Sequence, residues 1–204
     1  MKQKSYSLSF TTGGLFLQES LQIAQLYLKS QDWKDARDVV IEQNLLQFRT
    51  LNTSKRVCSE IISRLKTLNP AQLGLLVDAD HRDQAYLLWL AICRRYLFIA
   101  DFASEVLRER FVTLKLDVSY ADFELFFNRK AEWHPEFEQI QPTTKVKLRQ
   151  CLFKMLREAD LITAQSTINP SMPSHAVIGS IYLDNPKDLL IFPMFEADVK
   201  RRLA

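Results

Sequence analysis

Two stretches of this sequence gather positive charge and contain no carboxylate. Residues 43–59 hold Arg49, Lys55 and Arg56; residues 141–157 hold Lys145, Lys147, Arg149, Lys154 and Arg157. Cations placed at or along a helix suit phosphate oxygens, the contact that positions a protein on a nucleic acid without reading its sequence. The chain carries +3 in all, so removing the five cations of the second stretch leaves 3 − 5 = −2 elsewhere. The positive charge is therefore local, which says more than a mildly basic total.

In the first stretch a helix is expected to start at Thr53 or Ser54, placing Thr53, Ser54, Lys55 and Arg56 in its first turn. Exposed N–H groups, hydroxyls and the positive helix end would converge there on an anion. Lys and Arg are disfavoured at a helix N-terminus, and a bound anion would offset that cost. The alternative is Thr53 as a simple cap beside solvated cations. In the second stretch, 100° per residue puts Leu148, Leu152, Met155, Leu156 and Ala159 on one core face. Lys147 and Lys154 share one flank with Arg157 near the outer face, and Lys145 and Arg149 share the other. Two basic flanks suit a helix lying between the two phosphate backbones of a groove. Val146 and Phe153 fall near the outer side, so the helix should be covered on more than one side.

Catalytic signatures are missing. No Gly-x-x-x-x-Gly-Lys-Ser/Thr loop exists, and Gly13-Gly14 before a helix reads as a turn. His81-Arg82-Asp83 has Leu88 where a kinase catalytic loop needs Asn. His81, His134 and His175 lack metal spacing, and Asp78, Asp80 and Asp83 read as helix caps. Cys58, Cys93 and Cys151 form no CxxC pair and read as buried thiols of a reducing compartment. No cofactor or metal is expected. The most apolar stretch, Ala85 to Phe102, carries Arg94 and Arg95 centrally. It reads as a buried helix, not a span, with no secretory leader before it.

The elements that carry these residues are mostly helical. Only 4 Gly stand against 13 Phe. Helices are expected after Thr11-Thr12-Gly13-Gly14, with Leu17, Leu21, Ala24 and Leu28 on one face, from Asp32 as cap to about Gln43, from Thr53 or Ser54 to Leu68, and from Asn69-Pro70. A charged break at 78–83 sets a boundary between units 1–79 and 80–204. Beyond it a long helix runs to about Ala100 and another to about Leu116. Ser119 then caps a helix ending before Trp133-His134-Pro135, and Pro142 opens the basic helix to Ala159. Leu161–Thr163, Ala176–Ile178 and Leu189–Phe192 read as short strands, and Glu196–Leu203 as a last helix. The expected fold is mainly α with a small β-ribbon: two helical units, helix-turn-helix and winged-helix-like, with the basic helix in the recognition position.

The spacing Tyr6-x-Leu8-x-Phe10-x-Thr12-Gly13-Gly14-Leu15 continues with Glu19-Ser20, Asp32-Trp33, Asn44, Arg49-Thr50, Ser54, Arg56, Glu60-Ile61 and Arg64-Leu65. With Lys145-x-Lys147-Leu148-Arg149-Gln150 and Met155-Leu156-Arg157-Glu158-Ala159, it resembles the BrxA family of bacteriophage-exclusion (BREX) systems over nearly the whole chain. The resemblance implies a cytoplasmic phage-defence component with a two-part helical fold that binds duplex DNA. The combined expectation is a non-enzymatic, monomeric double-stranded-DNA-binding protein that works with other BREX proteins, away from the membrane. The alternative is an adaptor whose basic faces dock acidic surfaces of other defence proteins.

Overall fold

The computed structural model describes residues 5–203. Among them, helices follow one another from α1 (Leu17–Ser30), α2 (Trp33–Glu42), α3 (Leu51–Leu65) and α4 (Pro70–Asp78) to the central α5 (His81–Arg95). Next come α6 (Leu97–Phe102), a π-helical turn (Ala103–Arg108), α7 (Glu109–Val112), α8 (Tyr120–Ala131), α9 (Pro142–Glu158), α10 (His175–Asp184) and α11 (Glu196–Leu203).

Local chemistry sets most of these boundaries. The Asp32 carboxylate accepts the Lys34 N–H at 2.6 Å, Asn69 and Gln72 form a reciprocal capping box before Pro70, and Ser119 forms another with Asp122. Helix α3 begins earlier than the sequence suggests. Its cap is Thr50, whose hydroxyl accepts the Thr53 N–H at 3.2 Å, so Lys55 and Arg56 lie beyond the first turn.

The expected strands fare differently. Ala176–Ile178 is inside α10, capped by Ser174, and Leu189–Ile191 belongs to a 3₁₀ segment opened by Pro186. The β-branched run misleads because Val177, Ile178 and Ile181 form one buried helical face. No named strand occurs among the described residues. Two isolated antiparallel bridges remain, Asp117 with Thr167 and Ile162 with Ile168. The Val118 N–H reaches the Ser166 carbonyl at 3.0 Å, and the Thr163 N–H reaches that of Thr167 at 2.8 Å.

The core is organised around α5. Every residue from Ala85 to Cys93 is buried, as expected of a helix that is apolar on all sides. Trp89 is fully buried and donates its indole N–H to the Ile191 carbonyl at 3.2 Å. The chain leaves the α5 helix at Tyr96, so the long helix expected to Ala100 is two helices. Phe98, just beyond, packs against Tyr6, Phe10, Phe123, Phe126, Phe127 and Phe137. One hydrophobic cluster runs through both halves of the chain. Arg94 leaves α5 on one side, bonding Asp184 and Asp188, each at 2.7 Å. No helix is long and apolar enough to cross a membrane among the described residues.

Candidate nucleic-acid interface

Helix α3 turns its apolar side, Val57, Cys58, Ile61, Ile62 and Leu65, into the core. Asn52, Lys55, Arg56, Ser59 and Lys66 are exposed on the other side, and Arg49 is exposed just before the helix. Arg49, Lys55 and Arg56 make no side-chain hydrogen bond or ion pair. Thr53 is half-buried and shares a hydroxyl contact with Thr50 at 2.9 Å. Ser54 is only 1% exposed, and its hydroxyl lies in the core with no partner, out of reach of a surface ligand. Left-handed backbone at Asn44 and Gln47 folds the turn from α2 into α3.

Helix α9 divides its cations into two sets. Lys145 and Arg149 both meet Glu124 of α8, at 2.5 and 2.8 Å. Lys145 also lies over the Phe127 ring at 4.5 Å, and Arg149 over Tyr120 at 4.4 Å. This flank is a junction between helices. Phe153 belongs to it, fully buried and edge-on to Tyr120 at 4.7 Å. Lys147, Lys154 and Arg157 are exposed instead, on an arc shared with Thr143, Val146 and Gln150 and bordered by Glu158. Lys147 and Arg157 have no side-chain hydrogen bond or ion pair. Lys154 stands 3.6 Å from Glu158.

The loop before α1 joins the two helices. The Glu158 carboxylate accepts the Leu15 N–H at 2.6 Å, and Arg64 of α3 donates to the Gly14 carbonyl at 2.7 Å. A side chain at Gly14 would put its Cβ 2.9 Å from Glu158 Oε2, so the carboxylate would have to shift from its bond to Leu15. Arg64 also holds Glu60 at 2.7 Å, and Glu60 accepts the Tyr96 hydroxyl at 2.6 Å. Cys151 packs under the same loop, its thiol 3.7 Å from the Thr11 carbonyl. Burial raises that thiol's pKa, against the opposing pull of Lys147, Lys154 and Arg64. Thus Lys147 and Lys154 flank the loop that anchors α3. Lys145 and Arg149 face α8, and Arg49, Lys55 and Arg56 gather at the far end of α3.

Sequence reading missed Glu124, Glu158 and Arg64. Glu158 directly follows the acid-free window, and its i,i+4 spacing from Lys154 was a readable signal. Glu124 lies in another helix, and nothing local announces its pairing. Lys66 and Arg95 add further exposed cations, the latter 3.4 Å from the Ser63 hydroxyl through its Nε. No group of three or more His, Cys, Asp or Glu side chains arranged to hold a metal occurs among the described residues.

The molecule is thus an all-helical protein with two outward basic helix faces joined through a glycine-containing loop. The BrxA family model matches residues 4–182, and the chain belongs to that family. It is 27% identical over 150 residues to "BREX protein BrxA" of Escherichia coli O9:H4 (strain HS), covering 74% of this chain and 70% of that protein. It is 26% identical over 167 residues to the protein of the same name from Paramagnetospirillum magneticum (strain ATCC 700264 / AMB-1), covering 82% and 84%. A crystal structure of an uncharacterized protein from Magnetospirillum magneticum has the same fold, with a TM-score of 0.80 at 21% identity over 93% of this chain and 98% of that one.

Proposed function

We propose that this chain is a non-catalytic component of a BREX anti-phage system that binds double-stranded DNA, mainly through phosphates. The observation that carries the reading is the exposed arc of α9. It presents Lys147, Lys154 and Arg157 with Thr143 and Gln150, and the carboxylate at its edge, Glu158, is engaged by the Leu15 N–H and Lys154. Cations and hydrogen-bond donors in excess over acids are what a phosphate backbone requires.

The order of elements supports the same reading. A helix ending at α7, a bridge residue at Asp117, α8, α9 and the paired segments 161–163 and 167–169 follow the sequence of parts in a winged helix. In that scheme α9 is the recognition helix and residues 163–167 are the wing. Helices α2 and α3 form a helix-turn-helix-like pair in the first unit, 1–79, with Lys55 and Arg56 as its phosphate contacts. The second unit is 80–204. The protein acts as a cytoplasmic monomer in isolation and meets other BREX proteins on assembly.

The test is a binding titration against unrelated duplexes at several salt concentrations. Affinity that is nearly independent of sequence and falls with salt, at about 0.9 log units per neutralised phosphate, is the expected result. Binding that ignores salt would replace this reading with the adaptor one. Hydrolysis of ATP or cutting of DNA by the pure protein, abolished by one substitution, would remove the non-catalytic part.

A further inference from the structure

A second surface lies away from both basic helices. Residues Leu189 and Met194 form the floor of a 520 Å³ groove, with Tyr182 and Leu190 at its lip and Val199 and Leu203 of α11 along the other wall. Tyr182 is 48% and Leu190 44% exposed. Helix α11 buries none of its residues, so it forms a wall without closing the groove. Its volume falls in the range of binding clefts, and its lining is mainly apolar.

Charge selects the occupant. The acids around the groove are held internally. Glu196 pairs with Lys200 at 2.9 Å, Asp198 with Arg201 at 3.5 Å, and Asp184 and Asp188 with Arg94. Arg108, which lines the groove, makes no hydrogen bond or ion pair, and neither does Lys187, which follows the lining residue Pro186. Arg108 acts on its surroundings only by its field, helping to lower the Glu196 pKa after the Lys200 contacts. The unpaired charge at the rim is therefore positive.

We propose that this groove docks an amphipathic helical segment of a partner protein, with apolar side chains on one face and carboxylates beside them. The apolar side chains fill the space between Tyr182, Leu190 and α11, and the carboxylates meet Arg108 and Lys187. This is the helix-in-groove mode, with charge setting which helix is accepted. It does not depend on the DNA-binding reading, because no residue of either basic helix lines the groove.

The experiment uses the full chain and a fluorescent helical peptide with leucines at i, i+4 and i+7 flanked by glutamates. A second peptide keeps the leucines and carries lysines instead. The glutamate peptide should bind saturably, and the lysine peptide about tenfold or more weakly. Leu190→Glu should weaken the glutamate peptide by a similar factor, and Arg108→Gln with Lys187→Gln by less. Circular dichroism checks each fold; if Leu190→Glu unfolds, the Arg108 and Lys187 pair decides. Absence of saturable binding, equal binding of both peptides, or unchanged binding to folded variants overturns the proposal. Sedimentation adds one more outcome. If the wild type self-associates and Leu190→Glu makes it monomeric, the occupant is a second copy and the partner assignment is wrong.

Discussion

Helices α3 and α9 have the same plan and different fates. Each is amphipathic, buries one cysteine in its middle and carries cations in an acid-free stretch of sequence. On α3 the surface cations Lys55 and Arg56 are unpaired, while the one buried cation, Arg64, is held by Glu60 and the Gly14 carbonyl. On α9 the cations of one flank, Lys145 and Arg149, are taken up by Glu124, and only Lys147, Lys154 and Arg157 face outward. A window of sequence reports the charge that an element brings. It does not report the charge that a neighbouring element supplies, and here one glutamate of α8 removes two of five candidate contacts.

The largest effect should come from breaking the anchor of α3. Arg64 is 3% exposed, and replacing it with Met leaves Glu60 near the core with only Tyr96 as partner. Removing one member of a buried pair costs about 3–5 kcal/mol. Urea unfolding of Arg64→Met should show that loss. The matching change on α9, Arg149→Met, should cost about 1 kcal/mol, because Arg149 is more exposed and Lys145 still neutralises Glu124. Equal losses would erase the distinction between a buried anchor and a half-exposed junction.

High pH tests the anchor of α3 against the Tyr6–Asp101–Lys130 cluster through matched tyrosines. Tyr96 donates to Glu60 beside Arg64, and Tyr6 donates to Asp101 beside Lys130. Burial, reinforced by the carboxylate each hydroxyl bonds, raises each pKa from 10.0 to about 12. Burial alone would lower Lys130, yet its bonds to Glu105, Tyr6 and Asp101 raise it overall. All three groups hold protons more tightly when folded; the stabilisation from the two tyrosines is complete below pH 10 and lost as pH rises through about 12, and that from Lys130 persists higher. Unfolding followed by circular dichroism should therefore accelerate in that window together with tyrosinate absorbance. Ionisation of Tyr6 and Tyr96 near pH 10 while the fold persists, read by difference from Tyr6→Phe and Tyr96→Phe, would contradict the assignment.

The salt dependence of DNA binding separates the two flanks of α9. Lys147→Ala with Lys154→Ala should make the log–log slope shallower by up to about two units at nearly unchanged stability. Lys145→Ala with Arg149→Ala should leave the slope unaltered and lower stability instead. Lys55→Ala with Arg56→Ala should behave like the first pair if α3 shares the duplex. A slope that responds to Lys145 and Arg149 and not to Lys147 and Lys154 would turn the helix around.

Much of this architecture was legible in the sequence, for local reasons. Caps at Asp32, Asn69, Asp80 and Ser119 are short-range chemistry, and the stretch Ala85–Cys93 could only be a buried helix. Errors came where local and tertiary signals conflict. Ala176–Ile178 has strand composition but follows a Ser174 cap and packs with helical periodicity. Thr50, not Thr53, caps α3, because a hydroxyl accepting the N–H three residues on fits either start on paper. The candidate interface was half legible. The cations were found, but Ser54 is inside, and the glutamate that Lys145 and Arg149 share lies 21 and 25 residues away in sequence.

The smallest expected effect is also the most discriminating. Glu124 is about one-third exposed and holds Lys145 and Arg149 together against Phe127 and Tyr120. Glu124→Gln keeps the shape and some hydrogen bonding but removes the charge. Because the site is half-exposed, water screens the pair, and the stability loss should be about 1 kcal/mol. Binding should change in the opposite sense. Neutralising Glu124 leaves two cations without a counter-charge on the helix proposed to face DNA. Their attraction for phosphate rises even if the side chains stay stacked on their rings, so affinity at low salt should increase by a few-fold. The slope should steepen by up to about two units if both side chains swing outward to phosphates, and stay fixed if the rings hold them. Both results keep α9 against the duplex and differ only in how firmly Phe127 and Tyr120 retain the cations. A third result would count against the interface itself. If Glu124→Gln loses stability as expected and neither affinity nor slope moves, the field of α9 is not felt by the DNA.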